Sequence, residues 1–345
     1  MALSRNTKIG ILLTLVILFI SATFYFYQVF FASNFLVKAE KSSWLYIPKG
    51  ANFQTVKDSL EKNKLVHDFL PFAFTSRLMG YQEKVKPGAY EIMPNEGNRS
   101  VIQRLRAGIQ TPLKLTFSSY RTGEQLAERI GERLEMSADD VRGILRNPEM
   151  KTRYGLDEAN SISLFIPDSY EVYWTISPEA LMERMGKAYQ RFWNEKRKAK
   201  AQKAGLSEAQ VMTLASIVQS ESNKVDEMPR IAGVYLNRLK KDMLLQADPT
   251  VVYAVGDFNI RRVLGVHLEK DSPYNTYKYK GLPPGPIAIA IRPAIDAVLN
   301  AEQHDFLYFC AREDFSGYHN FAKDMGGHMK NARTYQNALN KAGIH

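Results

Sequence analysis

The chain is 345 residues long, 45% hydrophobic and 24% charged, and its excess of Lys and Arg over Asp and Glu gives a formal net charge of +10. That length allows two modest domains with cores of their own, and the composition excludes a disordered, collagen-like or disulfide-stapled protein. One asymmetry excludes more: residues 9–37 contain no Asp, Glu, Lys or Arg, while the remainder is polar, so a polytopic membrane protein is ruled out too.

An uncharged run of more than about 20 residues can cross the roughly 30 Å hydrocarbon core as a helix, and residues 9–31 fit. A cleaved signal peptide would have an apolar region of only about 7–15 residues ending in an A-x-A-like site. This run is longer and lacks that site, so a retained single-pass anchor is expected. Phe24, Tyr25, Phe26, Tyr27, Phe30, Phe31 and Phe35 crowd its C-terminal half, as in an aromatic belt at a membrane–water interface. Arg5, Lys8 and the terminal amine precede it, whereas Lys38 and Lys41 are partly offset by Glu40. Residues 1–8 are therefore expected to be a cytoplasmic tail, 32–43 a tether, and the body to lie outside the cytoplasm, on the periplasmic side of an inner membrane.

Trp44 to Pro48 reads as a strand with Lys49 and Gly50 turning it, and Asn52 can cap a helix carrying Phe53, Val56 and Leu60. A second helix is expected from Asp68 through Leu78, stopped by Gly80, with a strand between Val85 and Met93. This strand, helix, helix, strand order resembles the LysM fold, a small carbohydrate-binding module, and assigns residues 44–110 to a LysM-like subdomain. Val101, Ile102 and Leu105 then stripe a short helix that Gly108 can end. Leu113, Leu115 and Phe117 alternate as a strand. Thr122 and Gln125 have capping-box spacing before a helix striped by Leu126, Ile130 and Leu134. Pro167 breaks an aromatic-rich loop, and residues 187–203 read as one long basic helix. Its run of Lys196, Arg197, Lys198, Lys200 and Lys203 fits a solvated face, and anionic lipid or a carboxylate-bearing polymer suits the charge better than nucleic acid.

Ser207 and Gln210 form a second capping box, opening a helix with Val211, Leu214, Ala215 and Val218 on one face. At about 3.6 residues per turn, Glu221 lies roughly 20° from Leu214, whereas Gln219 falls roughly 140° away. A carboxyl held against apolar side chains loses hydration of its charged form, so its pKa rises toward that of a general acid. The other outcomes are a helix-end glutamate in solvent, or one paired with Arg230 or Arg238. Ser220 and Ser222 have no base at helical spacing and are not credible nucleophiles. Beyond Pro229, which suits a helix start, Pro249 is expected to force Asp248 extended. Two loops follow, one through Pro273 and Asn275, the other through Gly281, Pro283, Pro284, Gly285 and Pro286. Asn, Tyr, Gln and Asp side chains on such stiff loops suit a polyhydroxylated ligand. Cys310 is alone, so no intrachain disulfide forms, and a small buried hydrophobe is its expected role. The six histidines have no metal-ligand spacing, so neither a metal nor any other cofactor is expected.

Taken in order, the helix segment ending Gln219, Ser220 and Glu221, then Gln246, Asp248, Pro249 and Thr250, then Tyr274, Asn275 and Tyr277, then Gly281 to Gly285, closely resemble the endolytic murein transglycosylases, the YceG-like family. The resemblance runs from about Trp44 to the C-terminus. It implies an α+β chain with a single N-terminal transmembrane helix, a small LysM-like subdomain and a YceG-like catalytic domain over residues 111–345. The family's catalytic acid falls on Glu221. Its preceding glutamate is replaced here by Gln219, so no assisting carboxylate is assigned there. By the same resemblance Gln246, Asp248, Thr250, Tyr274 and Asn275 line a glycan groove. His319 and His328 fall in the family's C-terminal segment and are expected to be structural or peripheral.

The activity implied is a lytic transglycosylase: cleavage of the β-1,4 bond between N-acetylmuramic acid and N-acetylglucosamine in nascent peptidoglycan glycan strands, leaving a 1,6-anhydro end. It terminates glycan elongation, and association with peptidoglycan synthases is the expected protein partnership, with no nucleic acid. Two alternatives stand beside it: a muramidase hydrolase that activates water, with Asp248 as the candidate group, and a non-enzymatic glycan-binding scaffold that recruits cell-wall synthases.

Overall fold

The computed structural model describes residues 4–37 and 42–343. The chain forms two compact units, one of Met1–Lys114 with Arg133–Glu135 and Tyr170–Ile176, the other of Leu115–Glu132, Met136–Ser169 and Ser177–His345.

The first unit begins with helix α1 (Arg5–Phe30), whose N-terminus is capped by the Ser4 hydroxyl. Its side chains are exposed except for Val29 and Phe30. At 1.5 Å per residue it is about 39 Å long, enough by length and composition to cross a membrane. Strand β1 (Ser43–Ile47), helices α2 (Phe53–Lys62) and α3 (Phe69–Leu78), strand β2 (Gly88–Ile92) and helix α4 (Asn98–Ala107) follow. β1 and β2 pair antiparallel, with Leu45 opposite Tyr90 and Ile47 opposite Gly88, so the expected strand, helix, helix, strand order is present. Asn52 and Asp68 cap α2 and α3, and Gly108 ends α4 with a left-handed backbone. Leu45, Ile47, Leu60, Phe72, Tyr90 and Ile102 are among the side chains of one closed core.

The expected tether over 32–43 is not a free linker where it is described. Phe35 belongs to that core, Ser33 and Phe35 bridge Gly97 and Val66, and Leu36 N–H donates to Leu65. Residues 38–41, including Lys38, Glu40 and Lys41, lie outside the described residues. The returns at 133–135 and 170–176 lie beyond the expected boundary at residues 110 and 111. They are fixed by long-range contacts that leave no local trace: Glu135 N–H donates to Trp174 O, Trp174 packs on Tyr46, and Gln110 bonds Thr175.

The chain passes between the units near strands β3 (Leu113–Thr116) and β4 (Ser169–Val172), with helices α5 (Gly123–Gly131), α6 (Ala138–Leu145) and α7 (Glu149–Tyr154) between them in sequence. The second unit continues through α8 (Pro178–Phe192), α9 (Glu195–Lys203), α10 (Glu208–Glu221), α11 (Met228–Lys240), α12 (Asp248–Val255), α13 (Gly265–Leu268), α14 (Arg292–Leu299), strands β5 (Tyr308–Ala311) and β6 (His319–Ala322), and α15 (Met325–Lys341). α10 packs against α14, α11 and α12, and every side chain from Val211 to Val218 is buried. It is a core helix buried all round, where the sequence pattern indicated one buried face.

Three expectations change. The basic helix is broken at Trp193 and Asn194, because Asn194 caps α9 by accepting from Arg197 N–H at 3.1 Å. Its basic run is not wholly solvated: Arg197 bonds Asp296 and lies 4.2 Å from the Phe192 ring centre. Pro249 occupies the first turn of α12, the position where a missing N–H costs nothing, so Asp248 starts a helix. Strand β5 pairs with β6 so that Phe309 faces Phe321, and Cys310 within it is half-buried where a buried side chain was expected.

The Gly281 to Gly285 loop is irregular, as its composition requires. It is also close-packed: a Cβ on Gly285 would fall 1.9 Å from the Ala159 carbonyl oxygen. Gly285→Ala is therefore expected to cost about 1–3 kcal/mol, the range of overpacked sites, read as a lower midpoint in thermal or urea unfolding. An unchanged midpoint would show that this loop yields freely.

Candidate active site

The second unit contains a cavity of about 620 Å³ that Glu221, Asp248, Gln219, Arg121, Tyr253 and Arg261 help to line. Glu221 is the last residue of α10. α11 packs beside α10 and carries Tyr235, which is buried and whose hydroxyl donates to Glu221 Oε1 at 2.7 Å. Burial pushes the Glu221 carboxyl up to about 7. The Tyr235 hydrogen bond opposes that rise, the Asp248 charge adds to it and the Arg238 charge opposes it. Tyr235 itself is held well above the ordinary tyrosine range, chiefly by burial and then by the Glu221 charge, so it remains a donor throughout the neutral range.

Neither arginine considered from the sequence pairs with Glu221. Arg230 bonds Glu302 at 2.9 Å. Arg238 is buried and spends its donors on the carbonyls of Leu307 and Leu245, at 2.6 and 2.8 Å, with Gln246 Oε1 at 3.3 Å. It holds the loop that enters α12 and contributes positive potential without capturing the carboxylate.

Gln219 is not on a solvated opposite side. Its amide donates to Ser119 Oγ at 2.8 Å and Ile289 O at 3.0 Å, while its Oε1 accepts from Ile291 N–H at 2.7 Å. Just under one turn earlier, Ser216 Oγ accepts from Ile287 N–H at 3.0 Å. A glutamine satisfies donor and acceptor needs of this loop together, which a carboxylate, an acceptor only, would not.

The sequence-derived groove residues divide into two kinds. Asp248 is exposed and faces the cavity, with its Oδ1 accepting from the Tyr277 hydroxyl at 2.5 Å. Tyr274 lines a neighbouring cavity of about 250 Å³, and its ring lies 4.7 Å from that of Tyr253, which lines both cavities. The remaining three organise loops. Thr250 is fully buried and bonds Ala247 O and the Thr276 hydroxyl. Asn275 is also fully buried, donating to Leu268 O and Lys270 O and accepting from Tyr277 N–H. Gln246 has a left-handed backbone with φ 50° and a side chain taken up by Arg238. Thr250 and Asn275 have no exposed surface, so neither can touch a ligand directly.

Sequence reasoning passed over Tyr235 and Tyr253 as site residues, along with Arg121, whose guanidinium lies 5.0 Å from the Phe258 ring centre. For Tyr235 a signal existed, since a tyrosine on the apolar stripe of a buried helix needs a partner for its hydroxyl. His319 Nδ1 lies 2.7 Å from Oε2 of the buried Glu227. His328 stacks on Tyr308, and burial lowers its pKa. Among the described residues no group of three or more His, Cys, Asp and Glu side chains is placed to hold a metal ion.

A raised carboxyl pKa makes stability depend on pH. The folded chain holds a proton on Glu221 up to about 7, whereas the ordinary value is 4.5, so this group's contribution falls as pH rises through that window. Glu221→Gln is therefore expected to gain in unfolding midpoint relative to the native chain between pH 4.5 and 8. A difference that stays flat with pH would mean that Glu221 titrates normally.

The YceG-like family model matches residues 45–334. An endolytic murein transglycosylase of Bacillus subtilis is 29% identical over 313 residues, covering 86% of this chain and 85% of that protein. One of Streptococcus pneumoniae is 26% identical over 322 residues, 85% of this chain, which spans 58% of the pneumococcal protein's length. The crystal structure of a putative YceG-like protein from Listeria monocytogenes superposes with a TM-score of 0.56 at 30% identity, covering 84% of this chain and 99% of that one. With the family's model matched over most of its length, the chain belongs to the YceG-like family.

Proposed function

We propose that the protein is a membrane-anchored endolytic lytic transglycosylase acting on peptidoglycan glycan strands. The observation that carries this reading is a cavity-lining glutamate held near pKa 7 by burial, with one hydrogen-bond donor on one of its oxygens. Relatives named endolytic murein transglycosylases support the reaction class.

In the proposed reaction Glu221 starts protonated. With Oε1 occupied by the Tyr235 hydroxyl, Oε2 is the oxygen left to carry the transferable proton. That proton passes to the glycosidic oxygen as the bond from the muramic anomeric carbon breaks and positive character develops there. The carboxylate then takes the proton of the muramic 6-hydroxyl, whose oxygen attacks the anomeric carbon. A 1,6-anhydro end forms, Glu221 is again protonated and no water is consumed. One carboxylate serves both steps because the nucleophile belongs to the substrate, and tethering it there gives a high effective concentration. A pKa near neutrality suits a group that must give and regain one proton.

The rest of the cavity fits a substituted sugar polymer. The Tyr253 and Tyr274 ring pair offers faces for sugar rings where the two cavities adjoin, and Arg121 and Arg261 offer cations to carboxylate-bearing substituents. The strand, helix, helix, strand order of the first unit supports its reading as a LysM-like carbohydrate-binding subdomain. α1 serves in this reading as a single-pass anchor, with the body on the extracytoplasmic side, near where synthases release nascent strands.

Product analysis on nascent, uncrosslinked glycan tests the chemistry. Mass spectrometry is expected to find 1,6-anhydromuramic ends from the native chain. Glu221→Gln is expected to lower their formation by about 10²–10⁴-fold, the usual weight of a general acid–base group, with glycan binding retained. Reducing ends would identify a muramidase instead, and a Glu221→Gln chain as active as the native one would remove Glu221 from the chemistry.

A further inference from the structure

In the first unit, α3 packs against the last turn of α1. The Thr75 hydroxyl lies 3.5 Å from Val29 O and the Phe74 ring is edge-on to Phe30 at 6.5 Å. Asn98, fully buried on α4, donates to the same Val29 carbonyl at 2.8 Å and accepts from Asn34 Nδ2 at 2.9 Å. Asn34 also donates to Asp68 O at 2.8 Å and accepts from Asp68 N–H at 3.0 Å, at the start of α3. The end of α1 is thus fastened to α3 and α4 by buried polar bonds, which are costly to leave unmade. It is a rigid junction.

α3 buries Phe72, Thr75 and Ser76 toward the unit's core. Its other face is apolar where a solvated helix would be polar: Leu70 is 76% exposed, Phe74 53% and Leu78 61%. These positions, four apart, form a single stripe on the helix. The stripe is continuous through Phe74 and Phe30 with the exposed aromatic end of α1, where Tyr27 and Phe31 stack at 5.9 Å. Arg77 is exposed beside the stripe, and the Arg99 guanidinium lies 5.4 Å from the Phe31 ring centre.

We infer that α3 is a second membrane contact: its Leu70, Phe74 and Leu78 stripe lies in the interface of the bilayer that α1 crosses, with Arg77 and Arg99 at the level of the lipid phosphates. The inference rests on the reading of α1 as a membrane anchor. If the last turn of α1 lies at the bilayer surface, the rigid junction leaves α3 at the same level. An amphipathic helix there buries its apolar face about 5–10 Å into the headgroup and acyl boundary. Nearby cations gain from anionic lipid, and a long Arg side chain can keep its charge in the headgroups. The consequence is orientation: two contacts fix how the first unit stands on the membrane, which a helix joined by a loose linker would not.

The test uses the full chain, with Cys310→Ser and one nitroxide-labelled cysteine at a time, in phosphatidylethanolamine and phosphatidylglycerol vesicles. Phe74→Cys, Leu70→Cys and Leu78→Cys are expected to lose most of the collision with an aqueous nickel chelate and to gain collision with oxygen. Arg106→Cys, at the far end of α4, stays aqueous, and Leu15→Cys in α1 reads as bilayer interior. Circular dichroism of each variant verifies that it is folded. Aqueous behaviour at all three α3 sites with Leu15→Cys still in the bilayer overturns the inference alone. Aqueous behaviour at Leu15→Cys as well overturns the anchor reading and this inference with it. Spin–spin broadening between chains labelled at Phe74→Cys would assign the stripe to a second copy and overturn the membrane contact.

Discussion

The hydrogen bond from Tyr235 to Glu221, made inside a wall of buried side chains, is the constraint on which the site depends. Burial alone would drive the carboxyl so far toward its neutral form that it could not easily give its proton up. A donor on one oxygen stabilises the anion and returns the pKa toward 7. Asp248 and Arg238 then act in opposite senses from either side. The carbonyl end of α10 also disfavours a negative charge at its last residue. A group that must be acid in one step and base in the next gains most from such a balance.

The scaffold delivers this with one helix. α10 is buried from Val211 to Val218, so its axis and rotation are set by packing against α11, α12 and α14. Ser216, Gln219 and Glu221 leave that helix within two turns. The first two bond the backbone of residues 287, 289 and 291, fixing the segment that follows the Gly and Pro loop. The third is the proposed acid. Gln219 takes a place where both a donor and an acceptor are used. Thr250 and Asn275 do comparable work in their own loops, each spending its polar atoms on backbone or buried hydroxyl partners.

Local signals in the sequence carried a good part of this. The caps at Asn52, Asp68 and Ser207, the left-handed stop at Gly108 and the position of Glu221 on its helix are all visible within a few residues. Other local signals were read differently, and some features depend on partners farther along the chain. The break between α8 and α9 turns on one asparagine cap. The start of α12 turns on Pro249 acting as a first-turn residue where an extended one was expected. The face calculation turned Glu221 toward the apolar side, and burial raises its pKa, but it could not show that Gln219, on the other side, is taken up by Ser119 and the backbone of residues 289 and 291. Tyr235 looked like one more core residue, since its identity as a donor is set by a carboxyl fourteen residues away on a neighbouring helix.

The most direct measurement of the proposed role of Glu221 is the pH dependence of kcat/KM for glycan cleavage, which reports ionisations of the free enzyme. In the native chain activity is predicted to fall as pH rises through about 7, where Glu221 loses its proton. Tyr235→Phe removes the donor that favours the anion and is predicted to move that limb to higher pH, while Asp248→Asn removes a repelling charge and moves it lower. A limb that stays in place in both variants would contradict the assignment of Glu221 as the acid tuned by these two neighbours.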